Sequence, residues 1–360
     1  MMFKNVLRPI YDETYSSWIT RCALSPRIHS VSENDILFWD QIDFDFENGV
    51  LKSRPLGMEF DFDGSLGIQL ANTMQLDTRL VERCFKPSSS LLLDQRYRLS
   101  YCHLCIHSDV AFKRYPSWRK SWCYVTHPYC SIHRCLLSHM GTENPFQKQW
   151  AAYVRGHSGD YIEGRVRFYR GSHGISPDQI RAWLTLRVQM WIDKLNNTDR
   201  CVLPGTNIIV DSSKMRGAVE LVLRLFLVPR TDRTKSGVAR ELFTTGNALI
   251  VHRIFNLSER LEYGAPHSVP YERMCALLLL GITFGIFSPE EHSLLNSIIL
   301  KAEFWLPNLR DLGALSAEHV YGEEYVVLER LFNRSNDASV FPGDFLEGIF
   351  SSMYKPENYR

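Results

Sequence analysis

No sign of charge dominates this sequence. Lys and Arg number 41 against 40 Asp and Glu, a formal net charge of +1 over 360 residues, so no global basic excess marks the chain for nucleic acid. Any such contact must come from a local patch. A long hydrophobic run is also missing. The most apolar segment, MCALLLLGITFGIF at 274–287, falls short of the roughly 20 residues a membrane-spanning helix needs and reads instead as a buried helix. The opening residues, MMFKNVLRP, hold no apolar h-region and no small-residue cleavage site, so no signal peptide is expected and the expected compartment is a reducing cytoplasm, with no membrane association. A Walker A loop, a G-x-S-x-G elbow, an H-E-x-x-H helix and a Rossmann glycine pattern are all absent. The His, Asp and Glu residues form no readable catalytic constellation, so the chain is not expected to be an enzyme. There is no repeat of fixed period and no low-complexity tract. Core material, by contrast, is plentiful. An apolar fraction of 45% with 12% aromatics supports two or three folded domains rather than a disordered chain.

The periodicity is mostly helical. Tyr15, Trp18, Ile19, Cys22 and Ala23 form one apolar stripe, which predicts a helix from about Glu13 with Asp12 as N-cap and Pro26 as its end. Ser32-Glu33-Asn34-Asp35 has the form of a capping box and predicts a second helix through Ile36, Leu37 and Trp39. A third is expected from about Ser65 through Met74 and a fourth, after a break near Asp77, through Leu80, Val81 and Cys84. Short helices with tight turns suit a helix-turn-helix-like bundle. The stretch 40–63 carries seven acidic and two basic residues; it lacks the full calcium-loop ligand pattern and reads as a solvated loop or acidic docking surface. Towards the C-terminus, helices are expected after Ser176-Pro177, over about Lys214 to Val228, from Gly237, from Pro270, after Ser288-Pro289, over about Ser316 to Phe332 and over Phe341 to Tyr354. Between two of them lies a basic loop with Arg230, Arg233 and Lys235, which reads as solvated or as a phosphate contact.

Residues 96–140 differ from the rest. They hold seven Lys/Arg and one acidic residue, Asp109, and five of the nine cysteines fall between 102 and 135. Cys102-x2-Cys105 is followed after 24 residues by Cys130-x2-His133. Each x2 pair is a knuckle whose tight turn aims two ligands at one metal, and two knuckles complete a tetrahedron of three thiolates and one imidazole. A closed four-ligand shell suits a structural zinc ion, because a catalytic zinc keeps one position open. Soft sulfur donors exclude magnesium and calcium. A thioredoxin-like redox pair would need a single C-x-x-C in a strand–helix setting, which is not visible. His103, His107, Cys123, His127, Cys135 and His139 remain as alternative ligands or supporting groups, with Cys123 the nearest rival to Cys130. Tyr115, Trp118, Trp122 and Tyr129 are expected to cover the metal-bound loop.

The segments DETYSSWITRCA and YCHLCIHSD…YCSIHRCLL together resemble the TniQ family, target-selector subunits of Tn-seven-type and CRISPR-associated transposons. Family members carry an acidic–x–x–x–Ser-Trp–x–x–Arg helix near the N-terminus, matched here by Glu13, Ser17, Trp18 and Arg21. A C-P-x-C…C-P-x-H-x-x-x-L motif follows, matched by Cys102, Cys105, Cys130, His133 and Leu137. His103 and Ser131 stand where the family usually has Pro, and no second Cys pair follows Cys135, so one zinc is expected rather than two. The resemblance covers about residues 9–140. It implies a homodimeric adaptor that docks on a Cascade–guide RNA complex and recruits the AAA+ ATPase TnsC to direct DNA integration. The longer TnsD-type relatives imply the alternative, a selector that binds an attachment site in DNA itself. A length of 360 residues sits closer to the shorter, CRISPR-associated kind. Contact with target DNA or guide RNA is left open.

The resulting expectation is a mainly α protein with a helix-turn-helix-like N-terminal domain (1–95), a zinc ribbon-like module (96–140), a connector (141–175) and a C-terminal helical domain (176–360).

Overall fold

A computed structural model describes residues 6–25, 60, 62, 67–68, 71–72, 74–87, 91–112, 115–141, 148–157, 176–243, 250–252, 256–296, 308–334 and 340–351. The expected helix at Ser32–Trp39, the acidic stretch 40–63 apart from Phe60 and Phe62, and Lys113 and Arg114 lie outside these residues. Among the described residues the protein is mainly helical, with thirteen α-helices and six strands of two or three residues. The chain forms two compact units: Met1–Tyr124 with Leu137–Glu163, and Val125–Leu136 with Gly164–Arg360.

In the first unit, α1 (Tyr15–Ala23) starts two residues after the expected Glu13. Its N-cap is Thr14, whose hydroxyl accepts from the Ser17 amide, and not the expected Asp12. Asp12 instead takes a left-handed conformation (φ 61°), which frees its carbonyl and carboxylate to accept from the amides of Lys120 and Ser121. The stripe itself is buried as expected, with Tyr15, Trp18, Ile19 and Cys22 in one cluster with Met74, Val81 and Phe85. Phe85 belongs to α2 (Thr78–Phe85), which Asp77 caps, and its ring lies 5.1 Å from Tyr15 and 5.0 Å from Trp18. Strand β1 (Ser100–Tyr101) pairs antiparallel with β2 (Ser138–His139), and α3 (His103–Ala111) follows β1 directly. Residues 148–157, expected as part of a connector, form a helix, α4 (Lys148–His157), which packs on α3. The approach is close at Gly156, where a Cβ would meet His107 Nε2 at 2.8 Å.

The second unit is built from longer helices. The Ser176 capping box opens α5 (Pro177–Asn196): its hydroxyl accepts from the Gln179 amide while the Gln179 side chain accepts from the Ser176 amide. Strands β3 (Arg200–Val202) and β4 (Ile209–Asp211) form a hairpin that leads into α6 (Ser212–Phe226). Strand β5 (Arg230–Thr231) lies parallel to β6 (Ile250–Val251), with α7 (Val238–Phe243) between them in sequence. After α8 (Leu257–Gly264), which the sequence reading passed over, comes α9 (Pro270–Thr283). All of α9 except Tyr271 is buried, so the apolar run forms the centre of this unit, with α5 and α7 against it. No helix is long and apolar enough to cross a membrane among the described residues.

The single helix expected over Ser316 to Phe332 is a correction. Helix α10 (Pro289–Asn296) is followed by α11 (Leu309–Ser316), and α12 (Glu324–Arg334) starts separately. Gly322, at φ 54°, turns the chain between them, a conformation that ends a right-handed helix. Last, α13 (Gly343–Ser351) packs tightly on α11.

Candidate metal centre

Cys102 occupies the N-cap of α3 and Cys105 lies in its first turn, with the Ile106 amide donating to the Cys102 carbonyl at 3.1 Å. Spacing by three on a helix sets both thiols on one face. The helix N-terminus carries a partial positive charge that favours thiolates there. The second pair sits on a tight turn. The Cys130 amide donates to the Cys135 carbonyl (2.9 Å), the Arg134 amide donates back to the Cys130 carbonyl (2.8 Å), and Tyr129 bridges to Leu136. Arg134, at φ 52°, makes the reversal. The His133 amide donates to Cys130 Sγ at 3.5 Å, and His133 Nδ1 lies 3.8 Å from that sulfur.

The four residues singled out by spacing converge. One ligand atom from each of Cys102, Cys105, Cys130 and His133 lies within 4.8 Å of all the others. The three cysteines are buried and His133 is half-buried. A tetrahedral ion with bonds of about 2.0–2.3 Å sets its donors roughly 3.5–4 Å apart, so this cluster fits such an ion. Three sulfurs and a nitrogen are a soft, zinc-like donor set, and four protein ligands leave no position for water. No other group of three or more His, Cys, Asp or Glu residues converges in this way among the described residues.

None of the six alternatives belongs to this cluster. Cys123 Sγ donates to the Arg119 carbonyl (3.7 Å), His127 lies between Thr126 and Asp193, and His139 meets Ser100 Oγ at 3.3 Å. The His107 ring packs on Tyr153, the Cys135 carbonyl holds the knuckle turn, and His103 lies beside Gly156 of α4. Of the four aromatics expected to cover the metal-bound loop, Trp118, Trp122 and Tyr129 are buried and Tyr115 is half-buried. The Trp118 and Trp122 rings meet edge to face at 5.4 Å. Tyr129 is fixed within its own unit, its carbonyl accepting from Gln189 of α5 and its hydroxyl donating to Met274 of α9.

The N-terminal motif forms a second built feature. Glu13 is 1% exposed and Arg21 5%. The Glu13 carboxylate accepts from Arg21 Nε (2.7 Å), Arg21 Nη2 (2.6 Å), Ser17 Oγ (2.9 Å) and the Ile10 amide (2.9 Å). Ser17 Oγ in turn accepts from the Trp118 amide (2.9 Å), and Trp18 Nε1 donates to the Leu7 carbonyl (2.7 Å). A bidentate Arg–carboxylate pair with every remaining lone pair satisfied is the geometry in which a buried ion pair holds. Arg21 is therefore an anchor of the bundle.

Sequence reasoning missed a neighbouring network. Asp109 of α3 accepts two bonds from Arg119 Nη2 (2.8 and 2.9 Å) and a short one from Ser117, while Arg119 Nη1 donates to the Tyr11 carbonyl (3.1 Å). Its signal was present: Asp109 is the one acidic residue in the basic stretch 96–140. Of the cysteines outside the module, Cys22 is pushed up to about 12 by burial and Cys275 is likewise raised by burial, so both are inert thiols.

No family model, no curated protein and no solved structure matches this chain.

Proposed function

We propose that this chain is a non-enzymatic target-selection adaptor of the TniQ type, with one structural zinc ion on Cys102, Cys105, Cys130 and His133. In this reading it is a cytoplasmic homodimer that links a Cascade–guide RNA complex to a TnsC-type AAA+ ATPase and so directs DNA integration. Its finer architecture is a helix-turn-helix-like N-terminal bundle, a zinc ribbon-like module and a C-terminal helical domain. The observation that carries the reading is the behaviour of the two motifs behind the resemblance. Glu13, Ser17, Trp18 and Arg21 make one buried network, and Ser17 Oγ accepts from the Trp118 amide, in the stretch between the two metal knuckles. Residues scattered by chance would not build a shared scaffold.

Zinc identity rests on the donor set: three thiolates exclude the hard cations, and the closed shell suits a structural role. The near-zero net charge suits protein partners over DNA alone.

The test is co-purification with and without a Cascade–guide RNA complex and TnsC, with mass and zinc content measured. The reading expects a dimer that joins Cascade in moderate salt without added DNA and then retains TnsC. A monomer that ignores both and binds one defined DNA site, with affinity falling steeply in salt, would replace it with the attachment-site alternative.

A further inference from the structure

In the second unit a cleft of about 430 Å³ lies between residues 230–236 and the α11–α12 turn. That is the size of pocket that holds a small organic ligand. One wall carries Arg230, Arg233 and Lys235, and the other presents Tyr321, whose side chain is half exposed. The carboxylates of the cleft are already committed. Glu318 pairs with Lys235 (2.9 Å), Glu241 accepts from the amide and hydroxyl of Ser236, and Asp232 lies 3.4 Å from the exposed His252. Arg230 and Arg233 are exposed, and among the described residues neither guanidinium has an ion-pair or hydrogen-bond partner.

The two walls are held from beneath. Arg260, 1% exposed, donates to Thr234 Oγ1 of the loop (3.2 Å) and to the His319 carbonyl of the opposite turn (3.0 Å), and pairs with Glu324 of α12 (2.5 Å). Thr231 Oγ1 meets Thr234 Oγ1 at 2.8 Å and accepts from the amides of Arg233 and Thr234, which pins the loop in one conformation. Two guanidiniums without an ion-pair partner and an exposed aromatic ring lining one cleft, on a loop tied to the opposite turn by a buried arginine, match one ligand chemistry. A phosphodiester answers the guanidiniums and a base stacks on the ring. Exposure of both groups favours a strand passing across the cleft over a small molecule enclosed in it.

We propose that this cleft binds one nucleotide of a single-stranded nucleic acid, its phosphate held by Arg230 and Arg233 and its base stacked on Tyr321. The assignment is independent of the adaptor role, because it is tested on the isolated full-length chain without Cascade or TnsC.

The test is fluorescence anisotropy with a labelled 12-nucleotide RNA of mixed sequence across a salt series. It uses the wild type, the Arg230→Glu/Arg233→Glu double variant and Tyr321→Ala, with AMP as competitor. All three substituted side chains are exposed, and unchanged thermal unfolding and zinc content report that each variant is folded. The charge reversal is expected to weaken binding at least about ten-fold and to lower the salt slope by about 0.7, the contribution of one phosphate contact on a single strand. Tyr321→Ala is expected to weaken binding about ten-fold at every salt concentration, because stacking is insensitive to screening. Absence of wild-type binding, or affinity and salt slope unchanged in the double variant, overturns the site. Competition by AMP at concentrations similar to the RNA overturns the strand and leaves a mononucleotide pocket.

Discussion

Between residues 100 and 139 the strands are two residues long and the one α-helix has nine. Between 176 and 351, α5 runs for 20 residues and α9 is buried at every position but Tyr271. The first stretch has little regular structure, although it buries Tyr101, Trp118 and Trp122. It is organised by the Cys102–Cys105–Cys130–His133 cluster and by the Asp109–Arg119 pair. The second is held by apolar packing, with its buried charges gathered at fixed points: Arg240 on Glu272 (3.0 Å) and three carbonyls, Arg260 on Glu324 and the His319 carbonyl. A short, loop-rich stretch depends on directional bonds, each of which can be broken by one atom. A helical core spreads its stability over many contacts and is broken only by volume.

Removing the metal is the largest break. Structural zinc is worth about 10–16 kcal/mol in small modules, so Cys102→Ser is expected to yield insoluble or metal-free protein. Chelation of the wild type should raise amide exchange across residues 100–139 while the α9 amides stay protected, as hydrogen-exchange mass spectrometry reads directly. Equal loss of protection in both stretches would erase the contrast.

Next is Arg21→Ala, which leaves the Glu13 carboxylate buried without its partner. The expected loss is about 3–5 kcal/mol by urea unfolding, with zinc content retained in the folded fraction. In the helical stretch the comparable weak point is steric. A Cβ at Gly348 would lie 1.8 Å from the Arg310 carbonyl oxygen, and one at Gly313 would lie 2.1 Å from that of Phe345. Gly348→Ala must push α11 and α13 apart, at an expected cost of about 1–3 kcal/mol.

The last effect is a pH dependence. His319 is fully buried, and burial together with nearby Arg260 lowers it from 6.5 to about 3. As pH falls below about 6.5 the unfolded chain takes up a proton that the folded chain refuses until about pH 3, so stability is lost across that window. Urea midpoints measured from pH 7 to pH 4 should fall less steeply in His319→Gln than in the wild type; parallel slopes would remove His319 as a contributor.

The same contrast governs how much could be read from the sequence. The apolar stripe of α1, the Ser176-Pro177 start of α5 and the burial of α9 follow from periodicity and capping, which are local. The four metal-binding candidates were legible because x2 spacing encodes a local knuckle, and two knuckles need only meet once. What was not legible depends on distant partners. Asp12 gives up the N-cap because the amides of Lys120 and Ser121 need an acceptor. The helix expected over Ser316 to Phe332 does not form as one: α11 ends at Ser316, Gly322 takes φ 54° and α12 starts at Glu324. The ion pair of Asp109 with Arg119 joins α3 to a residue outside that helix, which no helical period relates.

The metal centre is the point on which the account turns, and zinc stoichiometry with X-ray absorption at the zinc edge on the purified full-length chain tests it most directly. The account predicts one zinc per chain with three sulfur neighbours at about 2.3 Å and one nitrogen at about 2.0 Å. Metal-free, folded protein, or a zinc shell with four sulfurs, two sulfurs or a bound water, would contradict it.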